Sequence, residues 1–239
     1  MQTRTVTYQA DDVEMIGFFA IDDSRSGPRP AILLSPEAPG LDDFNRDRCR
    51  RFAQLGYAVL GLDFHGNGEI LGREDMMARL TPFFQDPLRT RARAQAGLAA
   101  LLAQPNVDAT RVAAIGYCFG GTISLELARS GADIKAAVGF HSGLSTARPQ
   151  DAKNIRAKVL ILNGNADPSV PAEQRAAFEE EMTAGGVDWQ LHLYGGIGHA
   201  FTNPNVDKFG MPGFAYNKAA DERSWQAMLN LFEETLGPV

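Results

Sequence analysis

Short apolar runs rich in β-formers recur along the chain at 15–21, 31–35, 57–63, 112–116, 136–141, 159–163 and 190–194. Between most of them, apolar positions fall at helical spacing, over 42–55, 88–103, 122–129, 172–184 and 217–236. The central runs (AILLS, YAVLGL, VAAIG, AAVGF, VLILNG) are apolar without alternation, as expected of strands covered by helices on both faces. Strand–helix alternation of this kind predicts a doubly wound, mostly parallel sheet, an α/β architecture. The runs at 15–21 and 31–35 have no helix between them, which predicts an antiparallel N-terminal edge made by those two. No composition shift or repeat divides the 239 residues, so one domain is expected over 1–239. The segment 69–87, with Met76, Met77, Leu80, Phe83 and Phe84, follows the run at 57–63. It reads equally well as a flap near a site or as a helix with an ordinary core face.

Composition narrows the function. The net charge is −6, with no long basic run, which excludes nucleic-acid binding as the main activity. No apolar stretch reaches 18 residues, so no membrane span is expected. The segment 1–13 is polar and lacks a signal-peptide pattern. The two cysteines, Cys49 and Cys118, cannot build a disulfide framework and suit a reducing cytoplasm.

One of those cysteines stands in an unusual frame. Ile115-Gly116-Tyr117-Cys118-Phe119-Gly120-Gly121-Thr122 follows an apolar run and opens a helical one. This is the nucleophile-elbow pattern Gly-x-Ser-x-Gly with cysteine in the serine position. A nucleophile there sits on a strained strand-to-helix turn, and flanking Cβ atoms would collide with backbone. The positive helix end beyond it favours a thiolate. With 24 glycines among 239 residues, about 0.02 such frames around a cysteine are expected by chance. Cys49, in Asp47-Arg48-Cys49-Arg50-Arg51, has no such frame and reads as a packing residue.

A nucleophile of this kind needs a base and an orienting acid, in chain order nucleophile, acid, histidine. The run at 159–163 leads into Gly164-Asn165-Ala166-Asp167, and the run at 190–194 into Gly195-Gly196-Ile197-Gly198-His199. Asp167 and His199 therefore emerge beside Cys118 at strand C-termini. His192 lies inside a strand. His65 and His141 end strands and line the expected pocket, His141 as a substrate contact. Two backbone N–H groups must meet the developing oxyanion. Phe119 supplies one; in Pro36-Glu37-Ala38-Pro39-Gly40 the other falls to Ala38, since the prolines have no N–H. Glu37 reads either as a solvated surface glutamate or as a carboxylate beside the thiol that holds its proton at rest.

Together these motifs resemble the dienelactone hydrolase family, α/β-hydrolases with a cysteine nucleophile. The resemblance covers nearly the whole chain. It is carried by Pro36-Glu37-Ala38-Pro39-Gly40, the run 55–60 before Asp63, the Gly116–Gly121 elbow, Gly164-Asn165-Ala166-Asp167 and Gly198-His199-Ala200-Phe201. It implies a Cys118-Asp167-His199 triad acting on a small ester or lactone, with no cofactor or metal, and a Glu37 that contacts the resting cysteine. It implies substrate contacts from Phe201 and from the position four residues after the histidine. In family members that act on dienelactone that position is an arginine gripping the substrate carboxylate; here it is Asn203, and an amide does not replace that grip. Arg73 and Arg79 in the 69–87 segment are the remaining cationic candidates. Neutral activated substrates, including aryl esters and phosphotriesters, are therefore expected to be favoured. A thiol redox sensor and an acyl-transferase are the rival readings, and monomer and homodimer both stay open.

Overall fold

The computed structural model describes residues 1–239. Its strands are β1 (Gln2–Ala10), β2 (Val13–Ile21), β3 (Arg29–Ser35), β4 (Ala58–Gly61), β5 (Val107–Tyr117), β6 (Ala136–Phe140), β7 (Lys158–Gly164) and β8 (Trp189–Tyr194). Its helices are α1 (Asp43–Leu55), α2 (Arg73–Gln85), α3 (Pro87–Leu102), α4 (Phe119–Arg129), α5 (Ala172–Ala184) and α6 (Lys218–Leu236). The strands form one sheet in the order β1-β2-β4-β3-β5-β6-β7-β8, parallel from β4 onward. This is a doubly wound α/β sheet with an antiparallel N-terminal edge.

The helix boundaries follow from their caps. Asp42 accepts the Asn45 N–H at 3.0 Å to start α1, and Gly56, at φ 113°, ends it by returning its N–H to Phe52 and Ala53. Asp86 caps α3 with Pro87 in the first helical position, and Asn217 accepts the Ala220 N–H to start α6.

The antiparallel edge has different members from those expected. β2 pairs with β1 on one side and β4 on the other, while β3 lies inside between β4 and β5. The reason is burial: all seven β3 residues are buried, which requires neighbours on both edges and helices on both faces. β1 escapes a search for apolar runs because QTRTVTYQA buries only Val6 and Ala10. It is tied to β2 by a two-residue hairpin at Asp11 and Asp12, both with positive φ.

Alternate residues of the central strands feed two cores. On β5, Val112 and Ala114 face α3, α4 and α5, and Ala113, Ile115 and Tyr117 face α1 and α6. Cys49 is one of the α1 residues in the second core; burial pushes its thiol up to about 12 against the lowering effect of Arg50. Segment 69–87 contains the helix α2. Leu80 and Phe83 are buried, while Met77 and Phe84 stay exposed. No helix is long and apolar enough to cross a membrane.

Candidate active site

Cys118 sits between β5 and α4 with φ 55° and ψ −120°, a strained conformation for a non-glycine residue. The glycine frame explains how it is held there. A Cβ at Gly116 would run into the backbone of Gly120, and one at Gly120 into the carbonyl oxygen of Ser35. A Cβ at Gly121 would strike the Ser142 hydroxyl. The first turn of α4 thus packs directly on the end of β3, bringing the elbow against the loop that carries Glu37 and Ala38. α4 starts at Phe119, three residues earlier than its apolar periodicity suggests, so its N-terminus abuts Cys118.

The other two groups arrive through a second close approach. A Cβ at Gly164 would meet the Ile197 carbonyl, and one at Gly198 the Gly213 carbonyl. The turn after β7 therefore packs on the loop after β8. His199 Nδ1 donates to Asp167 Oδ2 at 2.7 Å, and both residues are buried. The other Asp167 oxygen accepts the Ser169 N–H at 2.7 Å. His199 is fixed by its own backbone bonds to Gly213 and Ala215 and by the Phe214 ring at 4.6 Å.

With Nδ1 committed to Asp167, His199 also interacts with the Cys118 side chain. Burial works against a charged His199, but the Cys118 thiolate and the Asp167 carboxylate outweigh it and push the imidazole up to about 10.

Glu37 is buried, and its carboxylate accepts the Asn203 side-chain N–H at 2.7 Å. Burial pushes this carboxyl up to about 7; the Asn203 hydrogen bond and the nearby His199 pull it back only in part. One of the two Glu37 carboxylate oxygens is thereby held by Asn203. The Ala38 carbonyl accepts from His65 Nε2 at 2.9 Å, which ties this loop to the segment after β4. His65 is itself seated by Asp63, whose carboxylate accepts the N–H groups of Ile16, His65, Gly66 and Gly68. Burial depresses the His65 pKa.

Several expected substrate contacts lie elsewhere. His141 is completely buried, with Nδ1 accepting the Cys118 N–H at 3.1 Å and Nε2 bonded to Thr202 Oγ1 at 2.9 Å. It supports the elbow from beneath and offers no free nitrogen to a ligand. Phe201 is also completely buried, against His141 and Tyr194. Arg79 is paired with Glu69 at 3.0 Å and lines, with His65, a cavity of about 760 Å³ that Cys118 and His199 do not border. Arg73 is exposed at the start of α2. Asn203 reaches the site, but as the partner of Glu37. Hydropathy and motifs gave no signal for Arg48 of α1, which donates to the Thr202 carbonyl at 2.7 Å. Phe84, one of the residues of the 69–87 segment, lies edge-on to Phe119 at 5.1 Å.

A cysteine on a strand-to-helix elbow, with a histidine and an aspartate on the loops after the next strands, defines an α/β-hydrolase fold. The family model for the dienelactone hydrolase family matches residues 15–236. The chain belongs to that family. It is similar to the structure of a dienelactone hydrolase-like promiscuous phosphotriesterase from metagenomic libraries, at 43% identity and TM-score 0.95 over 99% of both chains. A structure titled m3DLH is 44% identical, with TM-score 0.96 over 98% of both. A candidate carboxymethylenebutenolidase of Salmonella typhimurium is 28% identical over 96% of this chain and 86% of that protein.

Proposed function

We propose that this chain hydrolyses neutral, activated esters and lactones through a covalent thioester on Cys118. The observation that carries the reading is the strained Cys118 elbow facing a His199 anchored on Asp167 at 2.7 Å. In the resting enzyme the proton shared between Cys118 and His199 resides on the imidazole. The thiolate attacks the carbonyl carbon, and the tetrahedral oxyanion is met by the Phe119 and Ala38 N–H groups. His199 gives its proton to the departing alcohol or enolate as the C–O bond breaks. It then takes a proton from water, whose oxygen attacks the thioester and releases the acid and the thiolate. Asp167 keeps the proton on Nδ1 and stabilises the imidazolium.

Preference for neutral substrates rests on the positions from which a cation would hold an acid. Asn203 is engaged by Glu37, Arg79 by Glu69, and Arg73 is exposed at the start of α2. The exposed Phe84 ring beside Phe119 supplies an apolar wall next to Cys118, so the 69–87 segment borders the substrate within a single domain of 1–239. A reactive thiol that must stay reduced suits the cytoplasm.

The test is hydrolysis of a 4-nitrophenyl ester by Cys118→Ala. Turnover should disappear, and one equivalent of alkylating agent should inactivate the wild type; retained turnover would overturn the mechanism. Phosphotriesters are a second substrate class, favoured by the 43% identical phosphotriesterase. The same two amides would meet a phosphoryl oxygen, and paraoxon hydrolysis should disappear in the same variant.

A further inference from the structure

We infer that His141 is a positioning residue that holds the Cys118 elbow and the His199 loop in one register, through a closed ring of contacts running Cys118–His141–Thr202–Arg48–Tyr117. The inference rests on the reading of Cys118 as the nucleophile.

The hydrogen-bond pattern fixes the state of the ring. The Cys118 N–H donates to His141 Nδ1, so that nitrogen is unprotonated and the hydrogen sits on Nε2, which donates to Thr202 Oγ1. Burial, with the charges of His199 and Arg48, holds this imidazole well below its ordinary pKa and therefore neutral. The ring lies 5.2 Å from that of His199, in edge contact. A second charge there would repel the imidazolium.

The Thr202 carbonyl accepts from Arg48 at 2.7 Å, and the Arg48 guanidinium lies 5.6 Å over the ring of Tyr117, the residue before the nucleophile. Arg48 is itself held by Asp221 at 3.2 Å and by the Phe44 ring at 5.0 Å. Thr202 is three residues beyond His199. The ring of contacts therefore joins the two loops that must meet for proton transfer.

Two features distinguish His141 from an incidental buried polar residue. The Cys118 N–H already has an acceptor in the Phe140 carbonyl at 2.9 Å, so it does not need His141 for satisfaction. His141 also holds a left-handed backbone at φ 40°, unfavourable for a histidine, with the next residue clamped by reciprocal hydrogen bonds between Ser142 and Asn163. A misplacement of about 1 Å between reacting groups costs on the order of a hundredfold in rate, so the register matters to turnover.

The test exploits the two nitrogens separately. In His141→Asn the side-chain oxygen falls near the Nδ1 position, keeps the Cys118 contact and tolerates the left-handed backbone. In His141→Gln the amide reaches towards Thr202 but removes the His141 link to the Cys118 N–H, which keeps only the Phe140 carbonyl. Ester hydrolysis and thermal unfolding are measured for both, and for Thr202→Val, which preserves shape and removes the hydroxyl. His141→Gln and Thr202→Val should lose between about tenfold and a hundredfold in kcat with KM within about twofold, and His141→Asn, which also gives up the Thr202 link, should lose about as much as Thr202→Val. Unchanged kcat in His141→Gln and Thr202→Val would overturn the inference, as would losses in the three variants that track their unfolding temperatures. Should the histidine variants fail to fold, Thr202→Val decides by the same kcat criterion. Turnover surviving Cys118→Ala would overturn the nucleophile reading instead, whatever these variants do.

Discussion

The side-chain N–H of Asn203 donates to the buried Glu37 carboxylate at 2.7 Å, while the Asn203 oxygen accepts the Asn205 N–H at 2.9 Å. The amide is oriented from both ends. Asn203 thus commits one of its two amide N–H groups to a carboxyl group of the protein itself.

The stability of the fold should carry the signature of Glu37. Its pKa is raised from 4.5 to about 7, chiefly by burial. The protonated form is the one the fold accommodates, so this contribution is fully present below pH 4.5 and is lost as pH rises towards 7. The shift corresponds to about 3 kcal/mol. Glu37→Gln removes the ionisation, so its unfolding temperature relative to wild type should rise between pH 5 and pH 8. Thermal scans at the two values check this; a constant difference would contradict it.

His199 runs the other way. Its pKa is raised to about 10, so its contribution is complete below the unfolded value of about 6.5 and is lost as pH rises through 10. Much of the elevation comes from the Cys118 anion. Cys118→Ala should therefore lower the His199 titration midpoint, as read from imidazole nitrogen shifts by NMR. An unchanged midpoint would mean that sulfur and ring do not share a proton.

Asp167→Asn separates geometry from charge. The variant keeps an oxygen for the Ser169 N–H but turns an NH2 group towards His199 Nδ1, which forces the hydrogen to the nitrogen facing sulfur. By analogy with the serine triad, kcat for ester hydrolysis should fall by about 10⁴ with KM little altered. A loss of less than tenfold would remove Asp167 from the mechanism.

The glycine frame makes a packing prediction. An added Cβ at Gly120 meets the carbonyls of Ser35 and Pro36, which are backbone atoms and cannot swing away, whereas one at Gly195 meets nothing within 4 Å. Gly120→Ala should cost about 3 kcal/mol or more and lower ester turnover, and Gly195→Ala should stay within about 0.5 kcal/mol of wild type. Denaturant unfolding distinguishes them.

By itself, the sequence determined what is local or periodic: five of the six helices to within about three residues, the apolar strands of the parallel sheet, the cysteine elbow, and the order Cys118, Asp167, His199. Such features are legible because capping residues, uninterrupted apolar runs and steric demands for glycine act on neighbours in the chain. Tertiary structure alone decided which strands are neighbours, moving β3 inside the sheet and making β1 the outer strand. It also decided where side chains point. His141, Phe201 and Asn203 sit at positions that suit substrate binding, yet packing turned the first two into the core and gave the third to Glu37. Arg48 reaches the Thr202 carbonyl across 154 positions of sequence. A pattern along the chain records which residues avoid water; it does not record which distant polar group each one meets once buried, and at this site those meetings set the charges.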